Sequence, residues 1–230
     1  MRVLVVSDIH ANWEALRRIP DGFDRVICLG DLVDYGPDPV PCLEWVHQRE
    51  AFCVRGNHDE AVARAVSCRC GESMREASER TREIMRDELD LQQLAALGSR
   101  PLRARIELGG VRFELVHATP SDPLYSYLRP SQPERWEEEV EWVDADVILV
   151  GHTHLPMILK FGNKVVVNPG SVGQPRDGDS RAAYAVIEDG EPHLERCEYN
   201  VDASVEALAR RGLPDPIFSQ LVTLLRTGRP

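Results

Sequence analysis

The chain has 230 residues, enough to bury one sizeable core but short of two typical domains, so a single domain spanning 1–230 is expected. Apolar residues make up 43% and charged residues 28%, the mix of a globular chain and not of a disordered or fibrous one. The formal net charge of −11 argues against a nucleic-acid-binding surface, which needs clustered Lys and Arg; it leaves room for a phosphorylated substrate, because bound metal ions add positive charge that this sum omits.

The opening MRVLVVSD has one basic residue and a short apolar run ending on an aspartate, which reads as a strand and not as a secretory h-region. No run approaches the ~18 apolar residues of a membrane span, and a cytoplasmic location is expected. Short runs rich in Val, Ile and Leu at 2–7, 25–29 and 52–55 alternate with helical patterns at about 12–19 and 40–50. This βαβαβ order implies a parallel sheet. Asn12 is placed to cap the first helix, whose apolar Trp13, Leu16 and Ile19 recur at helical spacing, and Pro39 and Pro41 mark the start of the second. Between 61 and 95 the pattern is helical and heavily charged; this insert, about 60–97, reads either as a solvated helical face or as a cap over a site. From 103 onward the texture changes to strands joined by tight turns at Gly109-Gly110, Gly162-Asn163 and Asp189-Gly190, which are hairpin signals. Helical stretches near 202–211 and 216–226 close the chain.

Of the six cysteines, Cys28, Cys53 and Cys197 fall in strand-like runs and Cys42 in a helical pattern, where buried thiols are common. Cys68 and Cys70, in SCRCGES, stand apart. Their spacing lacks the second pair that a structural zinc site needs, so a loop with two free thiols is favoured over a metal or redox site.

The chemically capable residues collect behind apolar runs. VLVVSDIH delivers Asp8 and His10, VICLGD delivers Asp31, FCVRGNH delivers Asn57 and His58, FELVH delivers His117, and VILVGHTH delivers His152 and His154. In open α/β sheets ligands bind beyond the carboxyl ends of the strands, so five strands are expected to converge on one crevice. If the segments are extended, Asp8 with His10, and His152 with His154, each reach one point while Ile9 and Thr153 face away. Singly, Asp8 or Asp31 reads equally well as a helix N-cap and His117 as a core histidine; His47 and His193 read as residues of a surface helix and a strand. As a set, oxygen and imidazole donors without thiolate point to a polynuclear site for Mn, Fe, Zn, Co or Ni; Mn is the ion expected to support activity.

D-x-H, G-D, G-N-H, a lone H and G-H-x-H in this order resemble the calcineurin-like metallophosphoesterase superfamily, from Met1 to about Ser171. NPGSVGQPRDGDSRAAYAV further resembles the tail of its small bacterial members. The resemblance implies an α/β fold, a four-layer sandwich of two mixed β-sheets flanked by helices, holding two divalent metal ions. It implies that Asp8, His10 and His154 bind one metal, that Asn57, His117 and His152 bind the other, and that Asp31 bridges them. Two such ions ~3.5 to 4 Å apart lower the pKa of a shared water and clamp phosphoryl oxygens, so a bridging hydroxide is the expected nucleophile. If Asn57 points to a metal, His58 is free to face the substrate and protonate the leaving oxygen. Asp59 either orients His58 or caps a helix beginning at Glu60, and the cap fits better a carboxylate just ahead of EAVARAV.

The protein phosphatases and symmetrical dinucleoside tetraphosphatases of the superfamily carry an arginine in G-D-x-V-x-R-G, whereas GDLVDYGPDP has Tyr35 at that place. A phenol cannot grip phosphate as a guanidinium fork does, which weakens both readings. Arg176 is a candidate to replace it in part, and Tyr125 and Tyr127 either wall a pocket or belong to the core. The expected activity is hydrolysis of a small phosphodiester or phosphomonoester, the diester preferred. The alternatives are a phosphoprotein phosphatase or dinucleoside polyphosphatase, and, from another class, a non-catalytic scaffold such as the retromer subunit that resembles this family but lacks a full catalytic set.

Overall fold

The computed structural model describes residues 1–229. Its first strand, β1 (Arg2–Val6), is apolar on both faces because each face is covered. Val3 and Val5 enter one core, and Leu4 and Val6 enter another on the opposite side, as the two-residue period of a strand requires. α1 (Trp13–Leu16), β2 (Arg25–Cys28), α2 (Pro39–Gln48) and β3 (Phe52–Cys53) follow. β1 pairs with β2 and β2 with β3 in parallel, as the βαβαβ order predicts. Three helices come next, α3 (Asn57–Arg64), α4 (Glu72–Glu88) and α5 (Leu91–Ser99). The second half supplies β4 (Arg103–Leu108), β5 (Val111–Val116), α6 (Pro133–Glu141), β6 (Val147–Leu149), β7 (Met157–Phe161), β8 (Lys164–Asn168), β9 (Ala182–Glu188), β10 (Glu191–Cys197), α7 (Val201–Ala209) and α8 (Asp215–Thr227).

The strands form two mixed sheets, in the orders β10-β9-β1-β2-β3 and β4-β5-β6-β8-β7. In the first, β9 runs antiparallel to β1 with Leu4 opposite Val186. In the second, β5, β6 and β8 are parallel, with Leu115 opposite Leu149 and Leu149 opposite Val167. The sheets share a core of Val3, Val5, Ile27 and Leu29 from one side and Phe113, Leu115, Leu149 and Val167 from the other. Outside the first sheet, Leu16, Trp45, Val46 and Leu97 of three helices pack with Leu4, Val6 and Cys28. Outside the second, Trp136 and Val140 of α6 pack with Ile148 and Val166. The layers are therefore helix, sheet, sheet, helix, the four-layer sandwich that the family resemblance implies. Among the described residues, no helix is long and apolar enough to cross a membrane.

All three hairpin turns occur where their residues predict them. Gly109 and Gly110 take φ of 59° and 80°, the pair of positive angles that a two-residue turn between twisted strands demands. One helical boundary needs correction, and one helical stretch resolves into separate helices. The first helix ends at Leu16, not Ile19. The 61–95 stretch is not one helical pattern: α3 ends at the left-handed Ala65, and Asp90 starts α5 by accepting from Gln93 N at 2.8 Å. Both breaks are local capping events, which override an otherwise continuous charged periodicity.

Candidate metal centre

The loops that carry the site do not stay extended. Asp8, His10, Asp31, His152 and His154 take φ of 53°, 47°, 55°, 65° and 59°, all left-handed. Non-glycine residues there cost roughly 1–3 kcal/mol each and persist where the surroundings hold them. Here Asp8 N donates to Gly30 O at 3.0 Å, His10 N to Asp31 O at 2.9 Å, and Ser171 Oγ to Asp8 O at 2.6 Å. This corrects the expectation of extended pairs. Asp8 and His10 still meet, but His152 and His154 part: His154 groups with Asp8 and His10, and His152 with Asp31 and His117.

Within the first group, His154 Nε2 lies 3.2 Å from Asp8 Oδ1 and 3.3 Å from His10 Nε2. Asp31 Oδ2 lies 3.2 Å from His117 Nε2 and 3.9 Å from His10 Nε2, between the two groups. Asn57 Oδ1 is 3.0 Å from His117 Nε2 and 3.1 Å from His152 Nδ1. In each group the candidate ligand atoms lie within 4.8 Å of one another, and every residue is buried.

The backbone decides which atoms face inward. Nδ1 of His10, His117 and His154 donates to the carbonyls of Val33, Leu29 and Gln174 at 3.0, 2.8 and 2.6 Å. A carbonyl only accepts, so the proton sits on Nδ1 and the Nε2 position is the one presented to the crevice. Asn57 is set the same way: its Nδ2 donates to Cys68 O at 2.7 Å, which turns Oδ1 toward the two imidazoles. Asp8 Oδ1, Asp31 Oδ2 and His152 Nε2 are buried with no hydrogen-bond partner among the described residues. Acceptors packed this closely repel one another unless cations lie among them, and nitrogen and oxygen donors without thiolate suit a divalent metal.

Charge follows the same plan. Burial, and then the neighbouring His154, His117 and Arg176 respectively, hold His10, His152 and His154 below the ordinary imidazole range, in the neutral form that binds metal. Burial works to raise the Asp31 carboxyl, but His117 and His58 outweigh it and keep the group well below the usual carboxylate range. His58 and His117 go the other way. Burial opposes their charge, yet Asp31 lifts each to about 9, helped at His58 by a hydrogen bond to Asp34.

α3 begins at Asn57, with Gly56 as its cap, and not at Glu60. Asp59 is therefore the third helical residue, and its carboxylate accepts from Gly56 N at 3.1 Å, Asp31 N at 2.9 Å and Leu32 N at 2.8 Å. It closes the helix start, as a capping-box acid does, and also ties the Asp31 turn to α3. A Cβ on Gly56 would fall on Asp31 Oδ1 and lie 2.5 Å from Asp31 N. Gly56→Ala is accordingly expected to destabilise the fold by about 1–3 kcal/mol, the cost of overpacking, read as a lowered urea midpoint.

His58 is oriented by Asp34, which the sequence reading missed: His58 Nδ1 donates to Asp34 Oδ2 at 2.7 Å. Asp34 also accepts from Ser78 Oγ at 2.9 Å and Thr81 Oγ1 at 3.1 Å, and lies 3.7 Å from Arg82. The available signal was an acid three residues past Asp31 in a loop, ahead of the Asp38 that precedes α2. The helical insert thus stands directly against the site through α4. Tyr35 is buried, its ring 5.0 Å from that of His10 and 4.8 Å from that of His58, in a cluster with Met74 and Ile217. Tyr127 lays its ring 4.0 Å from that of His152, and Tyr125 carries the Arg69 guanidinium at 4.3 Å. Arg176 donates to Gln174 Oε1 at 2.6 Å and has no acid partner among the described residues. His47 and His193 sit exposed on α2 and β10, away from the site.

Two mixed sheets whose carboxyl edges jointly present such a cluster define a metal-dependent phosphoesterase, a hydrolase of ester bonds. The chain belongs to the calcineurin-like phosphoesterase superfamily, whose domain pattern matches residues 1–190. It is similar to the crystal structure of a metallophosphoesterase from Sphaerobacter thermophilus, with a TM-score of 0.82, 31% identity and 99% of each chain covered. An uncharacterised protein of Methanocaldococcus jannaschii is 31% identical over 248 residues, covering 95% of this chain and 96% of that one. A hypothetical protein from Pyrococcus horikoshii shares the fold at a TM-score of 0.82 and 18% identity, over 96% of this chain and 97% of its own.

Proposed function

We propose that the protein hydrolyses a small phosphorylated substrate, a phosphodiester before a phosphomonoester, at a centre of two divalent ions, Mn²⁺ first among them. One observation carries this reading: three imidazoles are locked through Nδ1 to backbone carbonyls so that their Nε2 atoms share one crevice with unpartnered oxygens of Asp8 and Asp31. Asp8, His10 and His154 would hold one ion, Asn57, His117 and His152 the other, and Asp31 both. When bound, such ions supply an activated water and hold phosphoryl oxygens in line.

The remaining steps belong to side chains. With Nδ1 committed to Asp34, His58 has Nε2 left to donate to the leaving oxygen. Arg176, which has no acid partner among the described residues, would bind a phosphoryl oxygen, and Tyr35 would wall the pocket beside it. A lone arginine suits the single charge of a diester better than the double charge of a monoester.

The test is a screen of chromogenic phosphodiesters and phosphomonoesters, nucleotides and phosphopeptides against Mn²⁺, Co²⁺, Ni²⁺ and Zn²⁺. Hydrolysis is expected to be lost on chelation and restored by metal, with two ions bound at saturation. Fewer than two ions, or no hydrolysis of any ester, would overturn the reading.

A pH dependence follows from His58. Its pKa in the fold is raised, so the acid form is present at low pH and is lost as pH rises through the folded value. Asp34→Asn removes a group that raises it, so the alkaline limb of kcat should move to lower pH. An unmoved limb would separate Asp34 from catalysis.

A further inference from the structure

Cys68 and Cys70 are both unbridged and lie in the loop between α3 and α4. Cys68 is buried, Cys70 half-buried and Arg69 between them exposed. Cys70 N donates to Cys68 Sγ at 3.4 Å. Arg69 takes a φ of 54°, a left-handed bend that folds the two cysteines toward each other. A bend shortens the Cα–Cα distance of cysteines two residues apart toward the range a disulfide spans.

What surrounds Cys68 gives the pair its meaning. Its carbonyl is the acceptor that holds Asn57 Nδ2 at 2.7 Å, and its sulfur lies 3.2 Å from Ser78 Oγ, which in turn donates to Asp34 Oδ2. One residue therefore touches both the amide set toward His117 and His152 and the support of the His58 partner.

We propose that Cys68 and Cys70 form an oxidation site, at which hydrogen peroxide converts the two thiols to a disulfide and thereby weakens the metal centre. The Cys70 sulfur attacks peroxide; an S–O bond forms, the O–O bond breaks, and the departing hydroxide leaves as water. The Cys68 sulfur then attacks the Cys70 sulfur, the S–S bond forms, the S–O bond breaks, and a second water leaves. Two thiols lose two electrons, and peroxide gains them. The Cys70 thiol is held at about 6, first by its hydrogen bond from Cys68, which favours it as the attacking sulfur.

Closing the bridge draws Cys68 Sγ from Ser78 and shifts the peptide whose carbonyl fixes Asn57. The loss of metal affinity rests on Asn57 being a ligand, as read above; the disulfide itself does not.

The experiment treats the reduced full-length chain with hydrogen peroxide, blocks remaining thiols, maps peptides by mass, and titrates Mn²⁺. The peptide spanning 68–70 should lose two hydrogens. Mn²⁺ should bind about 10- to 100-fold more weakly, the size expected for loss of an outer-sphere support, with recovery in dithiothreitol. Cys70→Ser should bind Mn²⁺ as the reduced protein does and keep that affinity after peroxide. A 68–70 peptide of unchanged mass would overturn the proposal, as would an equal loss of affinity in Cys70→Ser. A bridged protein that binds Mn²⁺ as tightly as the reduced one would remove the coupling. A reduced chain that binds no Mn²⁺ would instead sink the metal reading, leaving the peptide map to decide the oxidation site.

Discussion

Asp31→Asn is expected to lower bound metal from two ions to one or none and to abolish most phosphoesterase activity. Asp31 Oδ1 accepts the His58 backbone N–H at 2.8 Å, while Oδ2 is unpartnered and 3.2 Å from His117 Nε2. An asparagine can keep the first contact, so the fold should survive. It cannot supply the negative oxygen between the two groups. The affinity loss should exceed the ~10- to 100-fold typical of an outer-sphere partner. The same change removes the charge that most strongly counters burial at both His58 and His117, so both imidazoles should titrate lower than about 9 in the metal-free protein. Metal analysis after dialysis, with histidine titration by NMR, reads the two effects separately. Two ions held at wild-type affinity would disprove the bridging role.

His58→Ala should cut turnover by roughly 10²- to 10⁴-fold, the usual range for a positioned proton donor, while metal content stays intact. His58 is the second residue of α3, where alanine is a good helix former, so the helix should persist. The substitution strips Asp34 of its imidazole, leaving it Ser78, Thr81 and the more distant Arg82, and a stability loss of about 1–3 kcal/mol is expected for that buried carboxylate. Substrates separate the chemistry from the stability. A good leaving group such as nitrophenolate needs little protonation and should lose less than an alkyl alcohol. Equal losses on both would mean that His58 stabilises charge without giving a proton.

The sequence was most legible where position along a strand does the work. Asp8, Asp31, Asn57, His117 and His152 each follow an apolar run, so their convergence on one crevice could be read from chain order. The hairpin turns were legible for a similar reason, since Gly109-Gly110 carries its own backbone preference. The reading was incomplete at Asp59, which does cap the start of α3, and failed at the paired histidines. Asp59 looked like a cap from its neighbours, but two of its three partners belong to a turn 27 and 28 residues away. The extended geometry assumed for His152 and His154 was replaced by left-handed turns held through contacts with other loops, including His152 N with Asp8 Oδ2 at 3.1 Å.

By itself, then, the sequence determined which residue types gather at the candidate site and their place behind strand ends, because these follow from residue chemistry and short-range periodicity; the layer order was legible only through the family resemblance. Only the tertiary structure decided which nitrogen of each histidine faces the crevice, that Asp34 orients His58, and that Cys68 supports Asn57. Each of those depends on a hydrogen bond between residues 11 to 88 apart in sequence, and no local pattern encodes a partner that distance brings in from another loop.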